Sequence, residues 1–277
     1  MWKLAAQFQE EGEGCAATLM LHSVIPAFAG MTLWGNALAQ DRVRVLGSMR
    51  APLMSGLRGV NQFMSDDRVD FASMLASRLC HDLLSPVGAF ANGLELLADE
   101  KDPAMRERCF ELLEQSARTS ANKLKFFRLA FGSAGGFGEL VPADEAKSAI
   151  QGIIGDRAID LNWMIGTEPL PKPAVKIILN LSLLLVDALV RGGRLDVGCE
   201  KQGEGIEIAL HVEAERIFLD ADVERILAEG EGASPMTSRT APAVLVQAVA
   251  RQSGGTVMLA RETPTSLLVG AVLRGRG

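Results

Sequence analysis

Three histidines (His22, His81 and His211), four cysteines and no tyrosine leave this 277-residue chain few side chains suited to nucleophilic or acid–base work. Cys15, Cys80, Cys109 and Cys199 lie far apart and form no C-x-x-C pair, so they read as neither a zinc site nor a disulfide framework, and they fit a reducing compartment. One histidine stands out by its company: His81-Asp82-Leu83-Leu84-Ser85-Pro86. A lone histidine is most often an ordinary surface residue, so the case for His81 rests on this string. A neutral imidazole is nucleophilic near pH 7 because its pKa lies close by, and it can form a covalent intermediate with an electrophilic phosphorus. Asp82, one residue on, can hold the second ring nitrogen in the right tautomer and stabilise developing positive charge. Ser85, one turn along, either orients a phosphate oxygen or water, or is simply small enough not to obstruct a partner.

These residues need a rigid support, and the pattern around them is helical. Phe71, Leu75, Leu79, Leu83, Val87, Phe90, Leu94 and Leu97 recur at intervals of three and four, as one stripe of an amphipathic helix does. His81 lies two positions from both Leu79 and Leu83 and so points away from that stripe. Pro86 lacks the N–H that would bond the carbonyl of Asp82, which predicts a kink costing about 3 kcal/mol. Asp102 reads as an N-cap with Pro103 at the first helical position, and Met105, Cys109, Leu112, Leu113, Ser116, Leu124 and Phe127 form a second stripe. It ends at the glycine-rich break around Gly135-Gly136. Such a hairpin, expected over 69–132, cannot cover its own apolar faces, and two copies paired as a four-helix bundle would do so.

The chain from 140 to 277 reads as α/β. Helices are expected at Asp144–Arg157, Pro173–Val190 and Ala241–Gln252, and strands at Ile159–Ile165, Leu195–Cys199, Ile206–Val212, Thr256–Ala260 and Ser266–Leu273. His211 falls out of phase with the apolar positions of its strand, reads as solvent-facing and is given no role. Cys80 reads as a small packing residue. The layout resembles the ATP-binding domain of histidine kinases, the Bergerat or GHKL fold, an α/β sandwich. Leu179–Val190 looks like that family's N-box, except that Asp187 stands where the family has the asparagine that holds magnesium. His211-Val212-Glu213-Ala214-Glu215-Arg216-Ile217-Phe218 lacks the glycines of the adenine-receiving box, and Ser238-Arg239-Thr240-Ala241-Pro242-Ala243-Val244 lacks those of the phosphate lid. Glycine is needed there because the backbone must approach the phosphates closely. The expectation is a degenerate domain with no useful ATP site, although Ser253-Gly254-Gly255-Thr256-Val257 matches the family's helix-end turn.

The string from His81 to Pro86 resembles the H-box of sensor histidine kinases: histidine, acid at +1, hydroxyl or amide at +4, proline at +5. Joined to a degenerate ATPase-like domain, it resembles the ChpT-type histidine phosphotransferases over about Asp70 to Leu273. That resemblance implies a cytoplasmic homodimer that accepts phosphate on His81 from the receiver domain of a hybrid histidine kinase and passes it to response regulators. It implies no resident cofactor, since magnesium sits on the partner receiver. Ser77, Arg78, Leu84, Ser85, Gly88 and Ala89 flank the histidine as candidate docking residues. Lys123, Lys125 and Arg128 are candidates for steering acidic receivers, although each alone reads first as a solvated helix face. Two alternatives stay open here: an active sensor kinase with a divergent ATP pocket, and a non-enzymatic dimer that only sequesters receivers.

The balance of 28 basic against 34 acidic residues, a net charge of −6, argues against a nucleic-acid binder. No apolar run is clean enough to span a membrane. Residues 1–64 read as a leader, either disordered or an over-extended start with Met64 as the alternative. Ala37-Leu38-Ala39 is cleavage-like, but the acidic residues before it speak against a secretory signal.

Overall fold

The computed structural model describes residues 56–132, 139–203 and 205–274. Residues 1–55 of the expected leader lie outside these, as does the glycine-rich break at 133–136; 56–64 already form helix. Helix α1 (Gly56–Asp99) therefore starts well before the expected Phe71 and continues through Pro86. It turns at 100–102 into α2 (Pro103–Phe131). The turn is built from side chains. The Glu100 carboxylate accepts from the N–H groups of Lys101 and Asp102, at 2.8 and 2.9 Å, and the Asp102 carboxylate caps α2 by accepting from Ala104 N–H. Arg106 reaches back to donate to the carbonyls of Leu97 (3.2 Å) and Glu100 (2.9 Å), which the end of α1 leaves without helical partners. Gly93 is buried where a Cβ would come within 3.0 Å of the Leu113 side chain, so the two helices pack at close range.

The last two turns of α2 leave the hairpin and enter a second core. Phe126 and Ala130 are fully buried there, with Phe127 edge-on to Phe126 and stacked on Phe131. That core belongs to an α/β sandwich. A short pair, β1 (Leu140–Val141) with β3 (Leu170–Pro171), frames helix α3 (Ala143–Ile154) and strand β2 (Ile159–Trp163). Helix α4 (Lys172–Ala188) carries the chain across to β4 (Gly193–Gln202), which pairs parallel with β2. Strands β5 (Gly205–Glu213), β6 (Thr256–Thr263) and β7 (Ser266–Arg274) complete a five-stranded sheet in the order β2-β4-β5-β7-β6, every other pairing antiparallel.

Between β5 and β6 lie α5 (Ala221–Glu229) and α6 (Ala241–Gln252). Helix α4 is apolar on all sides because it packs against α2, α3, α6 and the sheet at once. Its buried Asn180 donates to the carbonyls of Lys176 and Ala130, which ties α4 to the end of α2. At the end of α6, Gly254 takes φ +62° and Gly255 lies so close to the Val272 carbonyl that no Cβ fits, as the helix-end turn required. Helix α5 and the β1–β3 pair were not anticipated. Among the described residues, no helix is long and apolar enough to cross a membrane.

Because α2 is shared, hairpin and sandwich should unfold together. Phe126→Ala is expected to lower stability by about 3–5 kcal/mol in urea denaturation, with helix and sheet signals moving in one transition. Two separated transitions would count against the shared core.

Candidate functional site

His81 sits midway along α1 with 83% of its side chain exposed. Its Nδ1 lies 3.1 Å from Asp82 Oδ1, a partner one residue away that the helix itself delivers. When Nδ1–H donates to that carboxylate, the lone pair of Nε2 is left bare toward solvent. The other oxygen of Asp82 accepts from Arg78 Nε at 2.8 Å, a pair one helical turn apart. Arg78 then reaches out of the hairpin, and its Nη2 donates to Asp187 Oδ2 near the end of α4. Asp187 Oδ1 in turn faces Arg157 Nη1 at 3.8 Å, and the same Arg157 nitrogen donates to the Val186 carbonyl at 3.2 Å. Burial disfavours a charged Arg78, but the carboxylates of Asp187 and Asp82 outweigh it and raise the guanidinium pKa.

The backbone under the histidine is held from the other helix. Pro86 cannot bond the carbonyl of Asp82 four residues earlier, and Lys123 on α2 donates its Nζ to that oxygen at 2.7 Å. Helix α1 thus passes through its proline with the vacated acceptor satisfied by a side chain.

Arg78, His81 and Asp82 form one wall of a cleft of about 520 Å³. Its other walls are Leu184, Asp187 and Ala188 of α4, Phe218–Asp220 after β5, and Ser238 and Arg239 before α6. These are the segments where the ATP-binding resemblance expects the N-box, the adenine box and the lid. Arg239 is tied across it to Asp220 at 3.0 Å, and Asp220 also caps α5. Burial would raise the Asp220 carboxyl, yet the hydrogen bonds from Arg239 and the backbone of Asp222 and Val223 hold it below the usual range. Among the described residues, no group of three or more histidine, cysteine, aspartate or glutamate side chains is placed to hold a metal.

The other candidates divide. Ser77, Leu84 and Ser85 are exposed beside the histidine, with Leu84 at 74%. Gly88 and Ala89 are half-buried, and a Cβ on Gly88 would meet nothing within 4 Å. Pro86 is buried. Arg78 is not an open docking residue: it is 8% exposed, because both of its carboxylate partners draw it inward. Lys123 is not free to steer a partner, since its ammonium is committed to the Asp82 carbonyl, whereas Lys125 and Arg128 are exposed. Cys80 is exposed rather than packed. Cys109 is buried and Cys199 half-buried, and burial pushes the Cys199 thiol up to about 12.

His211 corrects the sequence reading as well. It is half-buried, its Nδ1 lies 3.1 Å from Asp196 Oδ2 and its Nε2 3.0 Å from Ser266 Oγ. Asn162 and Arg194 hold the remaining Asp196 oxygen at 2.9 and 2.7 Å. This network ties β2, β4, β5 and β7 together through polar groups. Burial would raise the Asp196 carboxyl, but its hydrogen bonds from His211, Asn162 and Arg194 hold it below the usual carboxylate range.

Comparison with known proteins agrees with this architecture. Residues 143–265 match the family model of the histidine phosphotransferase C-terminal domain. The protein phosphotransferase ChpT of Brucella abortus (strain 2308) is 37% identical over 132 residues, which is 48% of this chain and 62% of that protein. The chain thus spans about three fifths of the length of that curated relative. A solved bacterial phosphotransferase superposes with a TM-score of 0.65 at 26% identity, covering 73% of this chain and 96% of that one.

Two predictions follow from the polar contacts. Lys123→Met leaves the Asp82 carbonyl without a partner and is expected to cost about 1–3 kcal/mol. In a Pro86→Ala background, where residue 86 regains its N–H, most of that cost should vanish, and a double-mutant cycle in urea measures the difference. For Asp196, whose folded pKa is depressed, the stabilisation is complete above the unfolded value near 3.8 and is lost as pH falls through the lower folded value. Asp196→Asn should therefore flatten the acid limb of a plot of urea midpoint against pH.

Proposed function

We propose that this protein is a histidine phosphotransferase of a two-component phosphorelay, with His81 as the residue that carries the phosphoryl group. The observation that carries the reading is an exposed imidazole whose Nδ1 is held by Asp82 and whose Nε2 is open to a docking partner. The Nε2 lone pair attacks the phosphorus of an aspartyl phosphate on a receiver domain. The P–N bond forms as the P–O bond to the aspartate breaks, and the carboxylate leaves with the electron pair. The Nδ1 proton stays in place, and Asp82 stabilises the cationic ring. Transfer onward to a response-regulator aspartate is the same step reversed. The receivers bring the carboxylate and the Mg²⁺, so this chain supplies an oriented nucleophile and a surface.

Ser77, Leu84, Ser85, Gly88 and Ala89 form the docking ground around His81, with Lys125 and Arg128 as exposed charges nearby. Autophosphorylation from ATP is not part of this reading. Asp187 is engaged by arginines, and the segments around the cleft lack the glycines that would admit phosphates. The working form is a homodimer in the cytoplasm. Val87, Phe90, Leu94, Leu112 and Leu124 expose between 36% and 52% of their surface on the hairpin, and a second hairpin covering them completes a four-helix bundle.

Incubation with [γ-³²P]ATP should give no labelled protein, whereas a ³²P-phosphorylated receiver domain with Mg²⁺ should label the wild type and not His81→Gln. Label from ATP alone would establish the kinase alternative, and label from neither donor the sequestering one. Light scattering should report a dimer, and Phe90→Glu should shift it toward monomer.

A further inference from the structure

Asp82 is held at three points, and one of them leads out of the hairpin. Its Oδ1 meets His81 Nδ1, its carbonyl takes Lys123, and its Oδ2 takes Arg78, whose other nitrogen bonds Asp187 in the sandwich. A guanidinium is a planar fork whose N–H directions are fixed relative to one another. Pinning Nη2 on Asp187 therefore sets the direction of Nε–H, and that in turn sets the plane of the Asp82 carboxylate facing the imidazole. Asp187 is itself steadied by Arg157, so two carboxylates and two guanidiniums form a charge-balanced row from α4 to α1. The position where the ATP-binding resemblance expects a magnesium-holding asparagine carries instead a full negative charge, which suits an arginine partner better than a neutral amide would.

We propose that Asp187 is a positioning residue for His81, acting through Arg78 and Asp82 to hold the imidazole in the tautomer that leaves Nε2 unprotonated and open to solvent. The inference rests on the reading of His81 as phosphoryl acceptor. The sandwich then contributes to the reaction without touching the reacting atoms: it sets the orientation of the nucleophile on α1. Loss of Asp187 frees the far end of Arg78, the Asp82 carboxylate rotates with it, and the ring nitrogens share the proton as in a free imidazole.

The test uses the full chain labelled with ¹⁵N, potassium phosphoramidate as a small phosphoryl donor, and the variants Asp187→Ala, Asp187→Asn, Arg78→Met and the Arg78→Met/Asp187→Ala pair. In the donor reaction Nε2 forms the P–N bond while the donor's own P–N bond breaks and ammonia departs, so receiver docking plays no part. The imidazole ¹⁵N signals of wild type should report the proton on Nδ1. Asp187→Ala and Arg78→Met should both move them toward the mixed values of a free imidazole and slow labelling about ten- to a hundredfold. Asp187→Asn should fall between, and the double variant should be no slower than the slower single one. Wild-type labelling by Asp187→Ala would overturn the proposal, as would slow labelling with unaltered imidazole signals, since a merely structural residue would behave that way. Label that persists in His81→Gln would instead overturn the reading of His81 itself, so the two failures remain distinct.

Discussion

The final turns of α2 belong to two packing units at once, and the rest of the arrangement depends on that. Phe126 and Ala130 have no exposed surface, and Phe127 only 2%, because the sandwich closes around the end of a helix that began in the hairpin. A helix transmits position along its length, since each turn is bonded to the next. Once its end is fixed in the core, Lys123, one turn earlier, is fixed as well, and with it the stretch of α1 that carries the histidine. The Arg78–Asp187 contact then closes the loop from the opposite side. A side chain 83% exposed to water can nevertheless have a defined place, because its support is fixed in the core at one end and bonded by the buried Arg78 at the other.

Much of this could be read from the sequence. The period of the apolar residues located both helices of the hairpin, and the alternation in β4 and β5 located the middle of the sheet. The H-box string singled out His81 from its neighbours. Tertiary pairing was harder to read, because a charged residue looks alike on paper whether it faces water or a partner a hundred positions away. Arg78 lies four residues from Asp82, a visible helical pair, but nothing local announces Asp187, 109 residues on. Lys123 read as surface because its acceptor is a backbone carbonyl freed by a proline in another helix. His211 was assigned to the polar side of its strand, correctly as to phase, but that side is furnished with Asp196 and Ser266. Helix α5 had a legible start in Asp220, followed by acidic residues in its first turn, yet it is nine residues long, too short for periodicity to speak clearly.

The shortage of catalytic groups and the altered ATPase-like segments have one physical explanation. On the proposed reading, a protein that only receives and returns a phosphoryl group has no need of a general base of its own, because the incoming aspartyl phosphate is already activated. What such a protein must supply is geometry. Asp187, Arg157, Arg239 and Asp220, which line or border the cleft beside His81, are spent on ion pairs that join elements of the fold. The polar residues around the cleft hold the scaffold still.

Pro86 carries a consequence of its own for motion. In an uninterrupted helix every carbonyl is bonded within the helix, so two packed helices can turn or slip against one another by exchanging only side-chain contacts. Here the Asp82 carbonyl is bonded to α2, so any axial rotation or one-residue slip of α1 would strand a backbone acceptor in a partly buried place. The proline works as a pin through two gears. While that bond holds, the stretch of α1 around His81 keeps one axial angle to α2, and turning it would require Lys123 to let go first.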